Sequence, residues 1–581
     1  MNRKVSKIGM WALVLGVAAT AIAQARPATA FDGLVDRVTA QEAANMKTLR
    51  KYTPIVETYI QDMKPDNELG EVPAGDHYYL GRVSFQKRLE DQSFVTHRGF
   101  TKRWLHRVTD VARDHYLPDG FAQMAIIDSS GFNRQNYNFH YVGREFLGSL
   151  RCVVIDVSPK KHVHGSRFLG RIWVEDQDDN IVRFNGTYVP QSEHGSYVHF
   201  DTWRLNMAPG VWLPAYVYSE ELGKESKLNR SFRFKAQTRF WGYDVGTAAR
   251  ESEFTQVLVD TNDTVKDQSK STEDLSPVAS QREWDRQAED NVLERLQTAG
   301  LLAKSGDIDK VLATVVNNLE ITNNLNIEPP VRARVLLTTP IESFAIGHTI
   351  VLSRGLLDVL PDEASLAAVL ARELANITLG HNVNTSYAFN DRMQFPDYMA
   401  FKRLHFADNP AQEEAAEKRA VEYLKNSPYK DKLVDVGLFL RQLQNRQKDL
   451  PNLIRAHLGN TITLRDNGEE LTSLMNSAPK LDPKNLNQIA ALPLGGRIKV
   501  DPWDDSVEML KNKPVALISP NEKMPFEVTP FFPYLTRLNE TTVNDAEAPQ
   551  QAPAPAPVNN KNRTPVNGSA KVAVNDGSRN Q

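Results

Sequence analysis

Residues 339–381 read TPIESFAIGHTIVLSRGLLDVLPDEASLAAVLARELANITLGH. The stretch passes from short β-rich pieces into helices. Just ahead of it, Arg334-Val335-Leu336-Leu337-Thr338 has the content of a strand. Ser343 to Gly347 and Thr349 to Leu352 form the arms of a hairpin. Gly355-Leu356-Leu357 opens a helix, and Pro361-Asp362-Glu363 starts another, with Asp362 as its N-terminal cap. That second helix carries SLAAVLARELANITLGH and ends near Gly380.

Within it stands Arg372-Glu373-Leu374-Ala375-Asn376. Positions four apart share one face of a helix, so Arg372 and Asn376 present to the same place, with Glu373 beside them. A zinc peptidase puts His-Glu-x-x-His in such a slot, so that two imidazoles reach one metal and the glutamate activates its water. The surrounding text resembles the gluzincin peptidases of the prenyl-protease, heat-shock-membrane-protease and Oma-type family, over roughly residues 290–430. The resemblance implies a zincin-like, mainly helical domain with a small β-hairpin sheet. It also implies a third metal ligand on a later helix. In Glu413-Glu414-Ala415-Ala416-Glu417, Glu413 takes that ligand position, and Glu417 stands where the family has aspartate.

Both histidines of the motif are replaced, by Arg372 and Asn376. A catalytic zinc needs three protein ligands and one open position. A guanidinium has no lone pair to give, is always protonated and repels a cation. An amide carbonyl is a poor zinc donor beside imidazole. Glu373 is thus a vestigial general base and Glu413 a vestigial ligand, and no cofactor is expected. The charge swap itself suggests an ion pair: Arg372 standing where the metal would be and neutralising Glu413, with Glu373 as a second partner.

Three other histidine positions bear on a rescued site. His381 follows Arg372 by nine residues and Asn376 by five, which on a continuing helix puts it about 180° and about 140° away, unless it lies past the helix end. His348 falls at the turn of the hairpin. His162 and His164 in KKHVHG alternate as ligands on a strand do, although a solvated loop explains them better.

Outward from this unit the chain has 581 residues, 41% of them hydrophobic, and a formal charge of −3. Near-neutrality points to neither a nucleic-acid partner nor a polybasic membrane surface. Cys152 is the only cysteine, so no intramolecular disulfide forms. Set among Val153, Val154 and Ile155, it belongs to a buried strand. Arg3, Lys4 and Lys7, an apolar run from Ile8 to Ala23 and small residues about Ala25 have the form of a signal peptide over residues 1–25. That form implies export to a periplasmic or extracellular space, with no transmembrane segment after removal. No phosphate-binding glycine loop and no Gly-x-Ser-x-Gly elbow occurs.

Residues 33–75 have helix-like spacing at Val35, Val38, Ala43, Met46, Leu49 and Ile55. Residues 76–260 alternate as antiparallel strands, in FLGRIWVEDQDDNIVRFNGTY and HFDTWRLNMAPGVWLPAYVYSEE. This part resembles the envelope lipoprotein-carrier half-barrel, which implies an apolar face for a lipid, an acyl chain or a lipoprotein. Residues 261–283 are a polar linker and 284–540 the peptidase-like unit, with LPLGGRIKVDPWDD and EKMPFEVTPFFPYL as extended segments packing back on it. Residues 541–581 are a disordered tail rich in Pro, Ala and Asn. The fold class is therefore α+β.

Three functions fit these residues. The first is a non-catalytic pseudopeptidase that binds an extended peptide or envelope protein in its cleft by strand addition. The second is an active zinc metalloendopeptidase with an altered metal site. The third is an envelope lipid or lipoprotein carrier.

Overall fold

A computed structural model describes residues 30–66, 70–85, 90–93, 121–129, 131–161, 167–189, 199–221, 233–243, 277–381, 406, 409–462, 474–476, 478–480, 498–500, 507–509 and 526–538. The segments read as signal peptide and terminal tail, the histidine pair at 162 and 164, and most of the linker lie outside them. No helix among the described residues is long and apolar enough to cross a membrane.

The described residues begin with helix α1, Ala30–Leu49, followed by strands β1, Ile55–Asp66, and β2, Gly70–Ser84. The helical expectation for residues 33–75 is therefore corrected beyond Leu49. Ile55, Val56, Tyr59 and Ile60 trace a helical stripe, yet they also serve the two faces of a strand buried on both sides. Ile55 and Tyr59 enter one core, and Val56 and Ile60 enter the other.

The remaining strands of this half are β3, Glu90–Ser93; β4, Tyr137–Leu147; β5, Leu150–Pro159; β6, Arg167–Glu175; β7, Ile181–Val189; β8, His199–Ala208; β9, Val211–Glu221; and β10, Phe234–Trp241. They form one ten-stranded sheet in the order β3-β2-β1-β10-β9-β8-β7-β6-β5-β4. Every pairing in it is antiparallel. The expectation of an antiparallel half-barrel-like domain is met, with its start moved back to Ile55.

One face of the sheet carries α1 and residues 121–127. Phe121 of that segment packs there with Phe168, Phe184, Phe200 and Phe234 of the strands. The α1 helix is tied down by a buried pair, Arg204 Nη1 and Nη2 donating to Glu42 at 2.5 and 2.7 Å. Gly170 and Gly186 face each other across β6 and β7, where a Cβ on either would strike the other strand's backbone. The Phe168 ring lies over that gap, replacing the missing side chains with apolar contact.

The second half comprises helices α2, Pro277–Thr298, and α3, Asp307–Thr322; strands β11, Arg332–Leu336, β12, Glu342–Ile346, and β13, Thr349–Ser353; and helices α4, Arg354–Val359, α5, Glu363–Thr378, α6, Pro410–Lys425, α7, Leu433–Arg446, and α8, Pro451–Ile454. The expected linker thus gives way to helix from Pro277. A short strand β14, Asn460–Thr461, completes a four-stranded sheet in the order β11-β13-β12-β14. A two-stranded ribbon follows, β15, Ile498–Val500, with β16, Val507–Met509.

The two halves share one hydrophobic cluster. Tyr59, Tyr78, Leu80, Trp203, Trp212, Tyr216 and Trp241 of the large sheet's second face belong to the same core as the α3 and α5 side chains. Two buried carboxylates from the large sheet reach into the second half. Glu57 accepts from Thr339 N at 2.6 Å and Thr339 Oγ1 at 2.8 Å. Asp76 accepts from Asn452 N at 2.9 Å and Leu453 N at 2.7 Å.

Residues 526–538 are extended, as expected, but they cross the large sheet rather than the peptidase-like unit. Val528 N donates to Gln61 Oε1 at 2.7 Å, and Tyr216 Oη donates to Thr529 O at 3.2 Å. Phe532 stands edge-on to Trp203, and Ser149 N donates to Leu535 O at 2.9 Å. Arg537 closes the run on the carboxylates of Glu175 and Asp178.

Candidate functional site

Helix α5 is buried along nearly its whole length, every residue from Ala364 to Asn376 being buried. Asp362 caps it, its carboxylate accepting from Ser365 N at 2.8 Å. Burial on all sides explains why the helix shows no clean polar face. Polar groups in such a helix need internal partners.

Glu373 is fully buried. Its Oε1 accepts from the Ser343 hydroxyl on β12 at 2.6 Å, and its Oε2 accepts from Asn376 Nδ2 at 3.2 Å. Both carboxylate oxygens are therefore engaged by neighbouring side chains. Arg372, 4% exposed, places Nη2 at 3.9 Å from Glu413 Oε1 in the first turn of α6. That distance is an ion-pair contact without a hydrogen bond. The α6 helix starts with a capping box between Asn409 and Gln412, which sets Glu413 at its position. Glu417, one turn on, is also buried.

His381 lies beyond the helix, and the angular extrapolation fails for that reason. The helix ends at Thr378, Gly380 takes φ +68°, and the chain turns back. His381 N then donates to Asn376 O at 3.0 Å, and its Nδ1 lies 2.9 Å from Asn376 Oδ1. So the turn, invisible to helical periodicity, brings His381 to the motif. His348 sits at the hairpin turn as expected, its imidazole pKa lowered by burial and by the Arg286 charge.

Zinc does not fit this set. Glu413 offers one carboxylate, Arg372 offers a cation, and the Asn376 amide faces Glu373 with its nitrogen and His381 with its oxygen. Among the described residues, no three His, Cys, Asp or Glu side chains group to hold a metal ion. The void beside Arg372, bordered by Ser365, Phe439 and Ile462, measures about 10 Å3. That is room for one water at most.

Strand β12 has a neighbour that was not foreseen. Glu342 pairs with Thr461 and Ser343 with Asn460 of β14. Glu342 is 1% exposed, and its Oε2 accepts from His457 N at 2.8 Å, Leu458 N at 2.7 Å and Gly459 N at 3.1 Å. The strand edge expected to be open to a peptide is covered here by the chain itself. A buried acid at the head of a strand was the trace of this in the sequence, since such a carboxylate requires donors.

In the first half, Cys152 is buried as expected, its thiol pushed up to about 12 by burial and then by Glu175 and Asp176. A shallow groove of about 880 Å3 crosses β4 to β8, lined by His140, Asp156, Arg171, Trp173, Asn185 and His199. Phe139, Val157 and Leu169 line it as well, and within it Arg171 Nε donates to Asp156 Oδ1 at 2.7 Å.

Residues 304–442 match the model of Peptidase family M48. No curated protein matches the chain. Among solved structures, a DUF1329 family protein from Desulfovibrio piger is 11% identical, over 38% of this chain and 98% of its own, with a TM-score of 0.19. A putative outer membrane lipoprotein-sorting protein domain from Vibrio parahaemolyticus is 10% identical, over 39% and 99%, also at 0.19. The Pseudomonas aeruginosa MucA/MucB complex is 8% identical, over 38% and 95%, at 0.12.

Proposed function

We propose that this protein is an exported, non-hydrolytic relative of the zinc peptidases, which acts by binding an extended peptide or an envelope protein. One observation carries the reading. Glu373, in the position of the general base, is buried with both oxygens held by Ser343 and Asn376, while the Arg372 cation stands beside the Glu413 carboxylate. Water activation at such a site needs a metal to lower the pKa of the water and a carboxylate free to take its proton. This donor set supplies neither condition. What survives is the scaffold that places a strand, β12, against the motif helix, and strands recognise extended chains through backbone hydrogen bonds.

Export rests on the charged and apolar N-terminal pattern, and recovery of a shortened chain from an envelope fraction by intact mass measurement checks it. The activity is tested by metal analysis of the purified protein together with cleavage of casein, with and without a chelator. The expected result is far less than one zinc per chain and no chelator-sensitive cleavage. Stoichiometric zinc with chelator-sensitive cleavage would sink the reading and favour an active metalloendopeptidase.

A further inference from the structure

We propose that residues 457–462 are an internal ligand, a segment of the chain that occupies the peptide-binding edge of β12 and that an incoming extended peptide must displace. The inference rests on the binding reading above and names its site and ligand class.

The segment lies along the degenerate motif. His457, Leu458 and Gly459 give three successive backbone N–H groups to the single carboxylate of Glu342. Asn460 then pairs with Ser343, the residue whose hydroxyl holds Glu373. Two positions later, Ile462 borders the void at Arg372. One segment thus runs from the head of β12 to the place where a metal would stand in a working enzyme.

Its attachment is short. Only Glu342 and Ser343 of five β12 residues are paired with β14. The contact has a steric requirement as well. A Cβ at Gly459 would run into the Phe344 ring and the Ser343 carbonyl, so the chain at this point must be glycine to lie flat on the strand. The approach is further fixed from the large sheet, where Asp76 holds Asn452 and Leu453 just upstream and the His457 ring lies tilted against Tyr78, their centroids 4.7 Å apart. The ligand class follows: an extended peptide with glycine opposite Phe344 and free N–H groups on that glycine and the two residues before it.

A site filled by its own chain binds an outside peptide with an affinity reduced by the fraction of time it is open. The probe is the labelled peptide Arg-Ala-His-Leu-Gly-Asn-Thr-Ile, residues 455–462, added to the full chain. Gly459→Ala pushes the resident segment off the strand, and peptide affinity is expected to rise at least about tenfold over wild type. Leu458→Pro, which removes the resident Leu458 N–H from Glu342 and leaves the edge of β12 intact for the peptide, is a second variant should the first fail to fold. Equal affinity in wild type and a folded variant overturns the proposal. Hydrogen exchange on the wild-type chain adds an arm free of any substitution. Millimolar peptide should speed exchange at 458–462 while β11 stays protected, and unchanged exchange at 458–462 overturns the proposal. A peptide that binds the opened protein and is then cut refutes the non-hydrolytic reading and leaves the internal ligand intact. A peptide that never binds refutes the internal ligand and leaves the metal analysis untouched.

Discussion

The Ser343 hydroxyl donates to Glu373 Oε1 at 2.6 Å, joining the small sheet to the motif helix across thirty positions of sequence. Both residues are fully buried, so the bond is made where water does not compete. Ser343→Ala removes a donor from a buried carboxylate and should cost about 1–3 kcal/mol. Urea unfolding measures it, and a loss below a few tenths would mean that other donors hold Glu373 in place.

Arg372 and Glu413 are at ion-pair distance without a hydrogen bond, and Glu413 retains 16% side-chain exposure. Partial solvation screens such a pair, so the coupling should be modest, about 1 kcal/mol in a double-mutant cycle of Arg372→Met and Glu413→Gln. Arg372→Met alone should cost more, about 2–3 kcal/mol, because it leaves a carboxylate uncompensated beside a buried helix. Thermal and urea unfolding of the four proteins decide it.

Restoring Arg372→His with Asn376→His replaces the cation and the amide with two imidazoles on one helix face. With Glu413 as third ligand, the double variant is expected to take up one zinc per chain. Metal analysis after dialysis reads the result, and a metal-free double variant would show that the surroundings of α5, and not only two side chains, have lost the site.

Glu57 latches the two halves. Besides Thr339, it accepts from Tyr78 Oη at 3.0 Å and pairs with Arg239 Nη1 at 3.1 Å. Burial already lowers the Arg239 pKa to about 10. Glu57→Gln strips that guanidinium of its countercharge and should cost about 3–5 kcal/mol. Faster hydrogen exchange at 337–341 would locate the loss at the junction.

Cys152 reports on the sheet through its proton. Its thiol sits near 12 in the folded chain against an ordinary 9.0. Between those values the unfolded chain has lost the proton and the folded chain keeps it. The contribution to stability therefore falls as pH rises from about 9 to about 12, by about 1.4 kcal/mol per pH unit, and it is flat below. The stability difference between wild type and Cys152→Ala should show that slope. At pH 8 a thiol reagent should label Cys152 only on unfolding.

The segments legible in the sequence were those with a local period. The hairpin at 343–352 was visible, as was the helix begun by the Asp362 cap. Strand β1 was not, because a strand buried on both faces loses its alternation, and its apolar positions happened to fall on a helical stripe. His381 was misplaced because the turn at Gly380 ends the periodicity from which its direction was extrapolated.

The amino-acid sequence alone determined the peptidase-like scaffold, the placement of Arg372 and Asn376 on one face of one helix, and the exchange of two neutral ligands for a fixed charge and an amide. The scaffold and the exchange are what the resemblance over residues 290–430 implies, and the shared face follows from helical spacing within a few residues. The tertiary structure decided the rest. It engaged both oxygens of Glu373, gathered the N–H groups of residues 457–459 on Glu342, carried Glu57 and Asp76 into the other half, and laid residues 526–538 across the large sheet. Apart from the local Asn376 contact, these pairings join positions from thirty to several hundred residues apart. Such partners meet only when the chain closes, and a buried polar group shows in the sequence that it needs a partner without showing which one.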